Sequence, residues 1–212
     1  MRVKTEAKRQ EILTAALDLF MEQGFERTLM SQVSDRAGCS KGTLYSYFQS
    51  KEDLYFAAVD RATSPEAESV LDVLDAAQPI EGQLRKFGIG LLRTVYSPRF
   101  QAVRRLVFST PSRHGLGPVV YEKAVRPYMV KTTEFLALAM SAGKLRSEDP
   151  EVAAYHLCGL LESELLLKFL LHALEDVSGP TLEAIAQRAV ATFVAAYEIP
   201  PRKAKARHQS LE

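Results

Sequence analysis

Apolar residues return every three to four positions almost from one end of this chain to the other, and that period admits little besides α-helix. Over residues 5–23, Ile12, Leu13, Ala16, Leu17 and Phe20 line one helical face, and Gly24 ends the run. Met30, Val33 and Ala37 mark a short second helix that Gly38 stops. Ser40 is placed to cap a third helix, whose Leu44 and Phe48 fall one turn apart. Ser50 is placed to cap a fourth, with Asp53 where a capping box wants Glu or Gln, and this helix runs towards Arg61 with Leu54, Tyr55 and Ala58 facing inwards. Ser64-Pro65 then punctuates the chain. Further helices are expected at 66–77, 80–96, 99–109, 118–142, 150–174 and 180–198, separated by proline- and glycine-rich turns, and Pro127 is expected to kink or split its helix. No run alternates apolar and polar residues as a half-buried strand does. The expected fold is all-α: a three-helix bundle over residues 1–50, a larger helical body over 51–200, and a basic flexible tail over 201–212.

With 212 residues and 47% hydrophobic residues, the chain can bury a substantial core. Its formal net charge of +1 does not describe a coat for nucleic acid. The charge is uneven, however. Arg2, Lys4, Lys8 and Arg9 against Glu6 give the first ten residues +3, and Arg202, Lys203, Lys205 and Arg207 against Glu212 do the same for residues 199–212. Such ends serve either as arms beside a polyanion or as plain solubilising tails. Cys39 and Cys158 stand far apart without metal-ligand or disulfide spacing, which points to a reducing compartment. The opening residues lack the apolar stretch of a signal peptide. "LLLKFLL" at 165–171 is too short to span a bilayer, so a cytoplasmic protein with no membrane partner is expected.

The stretch "AGCSKGTLYSYFQSKEDL", Ala37 to Leu54, is the least self-sufficient part of the sequence. Two short helices joined by a tight glycine-containing turn form a helix-turn-helix pattern. Leu44 and Phe48 would anchor the third helix against Ile12, Leu17, Val33 and Ala37. The other face then presents Lys41, Thr43, Tyr45 and Tyr47 to solvent or to the major groove of a duplex. Gly42 costs about 1 kcal/mol in helix propensity relative to alanine, and lacking a Cβ it permits close backbone approach at a helix N-terminus that favours phosphate.

The run from Gly24 to Leu54, "GFERTLMSQVSDRAGCSKGTLYSYFQSKEDL", resembles the DNA-binding segment of the TetR family of bacterial transcriptional regulators. Gly24-Phe25, Thr28, Ala37-Gly38, Ser40-Lys41-Gly42, Leu44-Tyr45, Tyr47-Phe48, Lys51 and Leu54 carry the likeness. Leu29 and Cys39 depart from it, and Thr28 would cap the second helix in place of residue 29. The resemblance implies a ligand-responsive repressor that binds a palindromic operator as a homodimer and is released by a small-molecule effector. By matching position, Lys41, Gly42 and Tyr45 would approach base edges, Ser31, Thr43, Tyr47 and Lys51 would contact phosphates, and Ser40 could do either. It also implies a dimer built from the last two helices and an effector pocket in the body. The stripe Leu182, Ile185, Ala189, Phe193 and Ala196 is a candidate for that interface, as are the leucines spread around residues 150–174. Phe108, Tyr128, Met129, His156, Glu162 and Phe169 are the candidates for the pocket.

An enzymatic reading finds little to stand on. His114, His156, His172 and His208 are scattered, and His156 and Cys158, two apart on a helix, diverge rather than chelate one metal. "GIGLLR" at 88–93 has Arg93 where a dinucleotide fingerprint needs its last glycine, and no strand precedes it. No catalytic residue, cofactor or metal is expected. A constitutive DNA-binding protein without an effector remains the alternative to a sensor.

Overall fold

The structure, a computed structural model, describes residues 4–75, 77–110, 115–175 and 177–199, with the backbone alone at 64–68. Arg2, the basic tail over 201–212, His114 and His208 lie outside the described residues. Every regular element among the described residues is helical. The helices are α1 (Glu6–Arg27), α2 (Met30–Arg36), α3 (Lys41–Tyr47), α4 (Lys51–Leu71), α5 (Ile80–Val95), α6 (Pro98–Ser109), α7 (Leu116–Val120), α8 (Arg126–Ser141), α9 (Pro150–Glu162), α10 (Leu166–Leu170) and α11 (Gly179–Tyr197).

Local chemistry explains most boundaries. Thr5, Ser40, Ser50, Ser97 and Ser178 each accept a backbone N–H at the start of a helix, and Asp149 accepts two. Gly24 adopts φ 80° and ψ 166°, a conformation closed to other residues, and breaks α1 one turn before its end. Three boundaries differ from the sequence-based expectation. The backbone stays helical through Ser64-Pro65, so α4 continues to Leu71 and the helix expected at 66–77 is its second half. The segment 150–174 is not one helix: α9 stops at Glu162 and α10 restarts at Leu166. Thr28 does not cap α2, since its buried hydroxyl donates to Gly24 O at 2.8 Å, while Gln32 Oε1 accepts from Leu29 N instead. Pro127 does split its helix. A π-helical turn over Tyr121–Val125 joins α7 to α8 just before the proline, which lacks the N–H that a regular ladder would use.

Two apolar cores result. The head packs Ile12, Phe20, Phe25, Val33, Leu44 and Phe48 around Leu54, Tyr55 and Ala58 of α4. The body packs α5, α8, α9 and α11 around Phe87, Leu92, Leu136, Leu157, Leu161 and Phe193. Two helices belong to both. The first half of α4 lies in the head and its Val70 and Leu71 in the body. Within α6, Val103 and Leu106 are buried in the head core while the intervening Arg104 and Arg105 reach into the body. The head's core therefore takes in residues on both sides of residue 50.

Candidate nucleic-acid interface

α3 is too short to be stable alone, and three devices hold it. Ser40 Oγ accepts from Thr43 N at 3.0 Å and shares a hydrogen bond with Thr43 Oγ1 at 2.9 Å. Leu44 and Phe48 are buried in the head core. Gly38, at φ 59°, makes the turn from α2, and Cys39 N closes it by donating to Ser34 O. With its inner face fixed, α3 exposes Lys41, Gly42, Tyr45 and Ser46, and Tyr45 keeps half of its surface in solvent.

Gly42 is helical, and a Cβ built there would meet nothing nearer than Ser40 Oγ at 3.8 Å, an ordinary contact. The fold does not require glycine at this position. A residue that weakens its helix without serving internal packing leaves room for something outside.

The remaining sequence-derived candidates divide. Ser31 and Thr43 are half-buried at the edge of the exposed face. The Tyr47 hydroxyl accepts from Thr5 N at 2.7 Å and donates to Thr5 O at 3.3 Å, and Lys4 lies 5.8 Å over its ring. Tyr47 thereby ties the basic N-terminal segment to α3. Lys51 is turned inward, contrary to the expectation that it meets a phosphate. Its Nζ donates to Phe25 O at 2.8 Å, Thr28 O at 3.1 Å and Glu26 O at 3.2 Å, and lies 4.3 Å over the Phe25 ring. An ammonium has three donors, and all three serve the end of α1. The C-terminal dipole of α1 favours a cation there.

The candidates for an effector site also separate. Phe108, Glu162 and Phe169 gather around Arg104, and Tyr128 lies elsewhere, packed against the body core. Arg104 Nη2 donates to Glu162 Oε2 at 2.9 Å, and its guanidinium lies 4.9 Å from the Phe169 ring and 5.9 Å from that of Phe108. Tyr128 stacks on Phe87, and its hydroxyl lies 3.8 Å from Cys158 Sγ. Burial pushes the Tyr128 hydroxyl well above the ordinary tyrosine range, and the Cys158 thiol up to about 11. Met129 is buried in the body core. His156 stands apart: it is exposed on another face of α9, where Nδ1 meets the Tyr197 hydroxyl at 2.7 Å. Sequence reasoning missed Tyr96 and Arg104, which look like an aromatic and a surface arginine until the fold closes over them.

Of the α11 stripe expected at a partner, Ala196 is exposed and the other four residues face inward. Leu182, Ile185, Ala189 and Phe193 are buried where α11 packs on α5 and α9 of the same chain, and Leu157, Leu161 and Phe169 of α9 and α10 are buried in the same core. Val152, Tyr155, Leu167, Leu170 and Leu171 on α9 and its continuation remain exposed, together with Ala191 and Ala195 on α11.

Among the described residues, no helix is long and apolar enough to cross a membrane, and no His, Cys, Asp and Glu side chains cluster as a metal site would need. Comparison with known proteins agrees with the geometry. Residues 12–58 match the profile of the bacterial regulatory proteins of the tetR family, and residues 82–199 match that of the AefR-like transcriptional repressor C-terminal domain. The HTH-type transcriptional regulator RutR of Escherichia coli K12 is 49% identical over 53 residues, a quarter of either chain. Among solved structures, a Mesorhizobium loti MAFF303099 protein assigned to the TetR-family transcriptional regulators superposes with a TM-score of 0.82 at 27% identity, covering 93% of this chain and all of the other. The flavonoid-responsive regulator FrrA superposes with a TM-score of 0.75 at 29% identity, covering 94% and 100%.

Proposed function

This chain belongs to the TetR family of transcriptional regulators, and from that premise we propose that it acts as a homodimer on a palindromic operator and leaves the DNA when a small molecule occupies its body. In this reading Lys41, Gly42 and Tyr45 approach base edges, while Ser31, Ser40 and Thr43 meet phosphates at the rim. Tyr47 and Lys51 act through position: the first holds the basic arm beside α3, and the second fixes the end of α1 on which α3 and α4 rest.

The observation that carries this reading is Gly42, a helical glycine on the exposed N-terminal turn of α3 with no packing reason to be there. The N–H groups of that turn and the neighbouring Lys41 offer donors to a duplex. Tyr45→Ala tests it. The ring is half in solvent, so the variant should keep its melting temperature and lose affinity for a duplex selected from a random pool. Retained affinity would remove α3 from the interface.

Dimerisation rests on a different face from the buried α11 stripe. Val152 and Tyr155 of α9 with Ala191 and Ala195 of α11 form an exposed surface whose small residues permit close helix approach. Two copies joined there would present their α3 helices to successive major-groove faces, which repeat about every 34–36 Å. A monodisperse monomer at micromolar concentration would contradict this.

Control by an effector is supported by α6. Its Val103 and Leu106 are embedded in the head core, while Arg104 and Arg105 hold Glu162, Phe169 O and His172 in the body. A molecule that displaces these arginines displaces the head, and the two sites are coupled through one helix. FrrA, by name, responds to flavonoids, which favours a small-molecule sensor over a constitutive DNA-binding protein.

A further inference from the structure

A groove of about 680 Å³ opens where the head meets the body. The head lines it through Met21 and Arg27 of α1, the body through Leu170 of α10, and the shared helix α6 through Arg105 and Phe108. Its surface is apolar and open to water. Met21 is 43% exposed, Leu170 46% and Phe108 58%, so three large side chains from three helices meet solvent in one concavity, with the buried Phe20, Leu106 and Phe169 also lining it. Isolated exposed apolar residues are ordinary, but a group of them in a concave surface of this volume suits a small organic molecule.

The charge of the groove is one-sided. Glu22 is the one carboxylate among the lining residues, and Arg36, which does not line the groove, already holds it at 2.6 Å. Arg27 donates Nε to Gln23 O of its own helix at 2.8 Å, and its two terminal amino groups have no partner among the described residues. Arg105 Nη1 donates to Phe169 O at 3.2 Å and meets His172 Nδ1 at 2.6 Å. A guanidinium only donates, so that nitrogen accepts, and both partners of Arg105 are uncharged. Among the described residues, no carboxylate forms an ion pair with either arginine.

An occupant that answers both features is apolar along most of its length and negative at one end. A guanidinium receives a carboxylate on two parallel hydrogen bonds, and two unbalanced guanidiniums in one groove favour an anion over a neutral or cationic molecule. Phe108 decides the apolar part. More than half of it is in solvent, and its contact with Phe169 is edge-on at 6.2 Å, so ring surface is left for a flat partner to stack on.

We propose that this groove binds an aromatic carboxylate, its rings lying on Phe108, Met21 and Leu170 and its carboxylate received by Arg27 and Arg105. As an effector site it rests on the reading of the chain as a ligand-controlled regulator, and it places the effector where the body meets the head. A ligand there touches α1 of the head and α10 of the body at once. Its affinity then depends on how the two are set against each other, which couples it to the geometry that DNA requires.

Calorimetric titration of the full chain with 2-naphthoate, 2-acetylnaphthalene and decanoate tests it. The naphthoate should bind most tightly, and its affinity should fall as salt is raised. Arg27→Gln should weaken the naphthoate about two- to fivefold, the range of an exposed ion pair, and leave the ketone unchanged. The variant should keep its melting temperature, because the one hydrogen bond of Arg27 is to its own helix. Leu170→Glu, at an exposed position, puts a carboxylate of the chain itself in the groove and should abolish naphthoate binding. Tightest binding of the ketone or of decanoate, indifference of the naphthoate to either substitution, or binding of none of the three overturns the proposal. Duplex selection with unliganded protein tests the regulator reading separately: enriched sequences without naphthoate binding would sink the groove alone, and naphthoate binding that obeys both substitutions without any enrichment would sink the regulator alone.

Discussion

Replacing Lys51 by methionine separates two roles for this side chain, because Lys51→Met keeps most of its apolar stem and removes the ammonium. In the structure that ammonium serves Phe25 O, Glu26 O and Thr28 O, all at the end of α1. A hydrogen bond from a charged donor contributes about 1.5–3 kcal/mol, but Lys51 is only half-buried and water can replace part of its work at the freed carbonyls. The contact with the Phe25 ring adds roughly 0.5–1 kcal/mol. A net loss of about 2 kcal/mol is expected, which for a chain of this size lowers the melting temperature by about 4–8 °C. Thermal denaturation followed by circular dichroism measures it. The salt dependence of operator binding supplies the opposite test, since each released phosphate contact reduces the slope of log affinity against log salt by about 0.9. Lys51→Met should leave that slope unchanged at temperatures where the head is folded. An unaltered melting temperature with a slope reduced by one contact would show that Lys51 serves DNA and that its inward position is not the working one.

Gly42→Ala should raise the stability of the head by about 0.5–1 kcal/mol, since α3 gains a better helix former in open space, and should weaken operator binding in a gel-shift titration. Gly88→Ala should destabilise the body by about 1–2 kcal/mol despite its better propensity, because the new Cβ falls 2.6 Å from Leu161 Cδ2 and 3.5 Å from Ala186 Cβ within a fully packed core; chemical denaturation measures it. Stability should also fall in alkali. Burial raises the folded-state pKa of Cys158 from 9.0 to about 11 and of Tyr96 from 10.0 to about 12. Both groups favour the fold in their protonated forms, so their contribution is complete below pH 9 and declines as the pH rises from there to about 12. Melting temperatures across that interval, with tyrosinate absorbance to follow ionisation, should fall together.

The residue pattern alone determined the helical class, the caps at Ser40 and Ser50, the break at Gly24 and the exposed face of α3, because each depends on neighbours within a turn or two. Lys41, Gly42 and Tyr45 were legible for the same reason: Leu44 and Phe48, on the same short helix, fix which way it faces. Contacts between distant segments decided the rest. Lys51 reads as a surface cation until the carbonyls of residues 25, 26 and 28 are brought to it. The leucines of 150–174 cannot announce that the helix stops at Glu162, or that Leu157 and Leu161 are covered by α8 and α11, and most of the α11 stripe by α5 and α9, of their own chain. Arg104 likewise reads as a surface cation until α5, α9 and α10 bring Tyr96, Glu162 and Phe169 around it. A helix encodes its own period, but which partners its polar atoms find depends on every segment that packs around it.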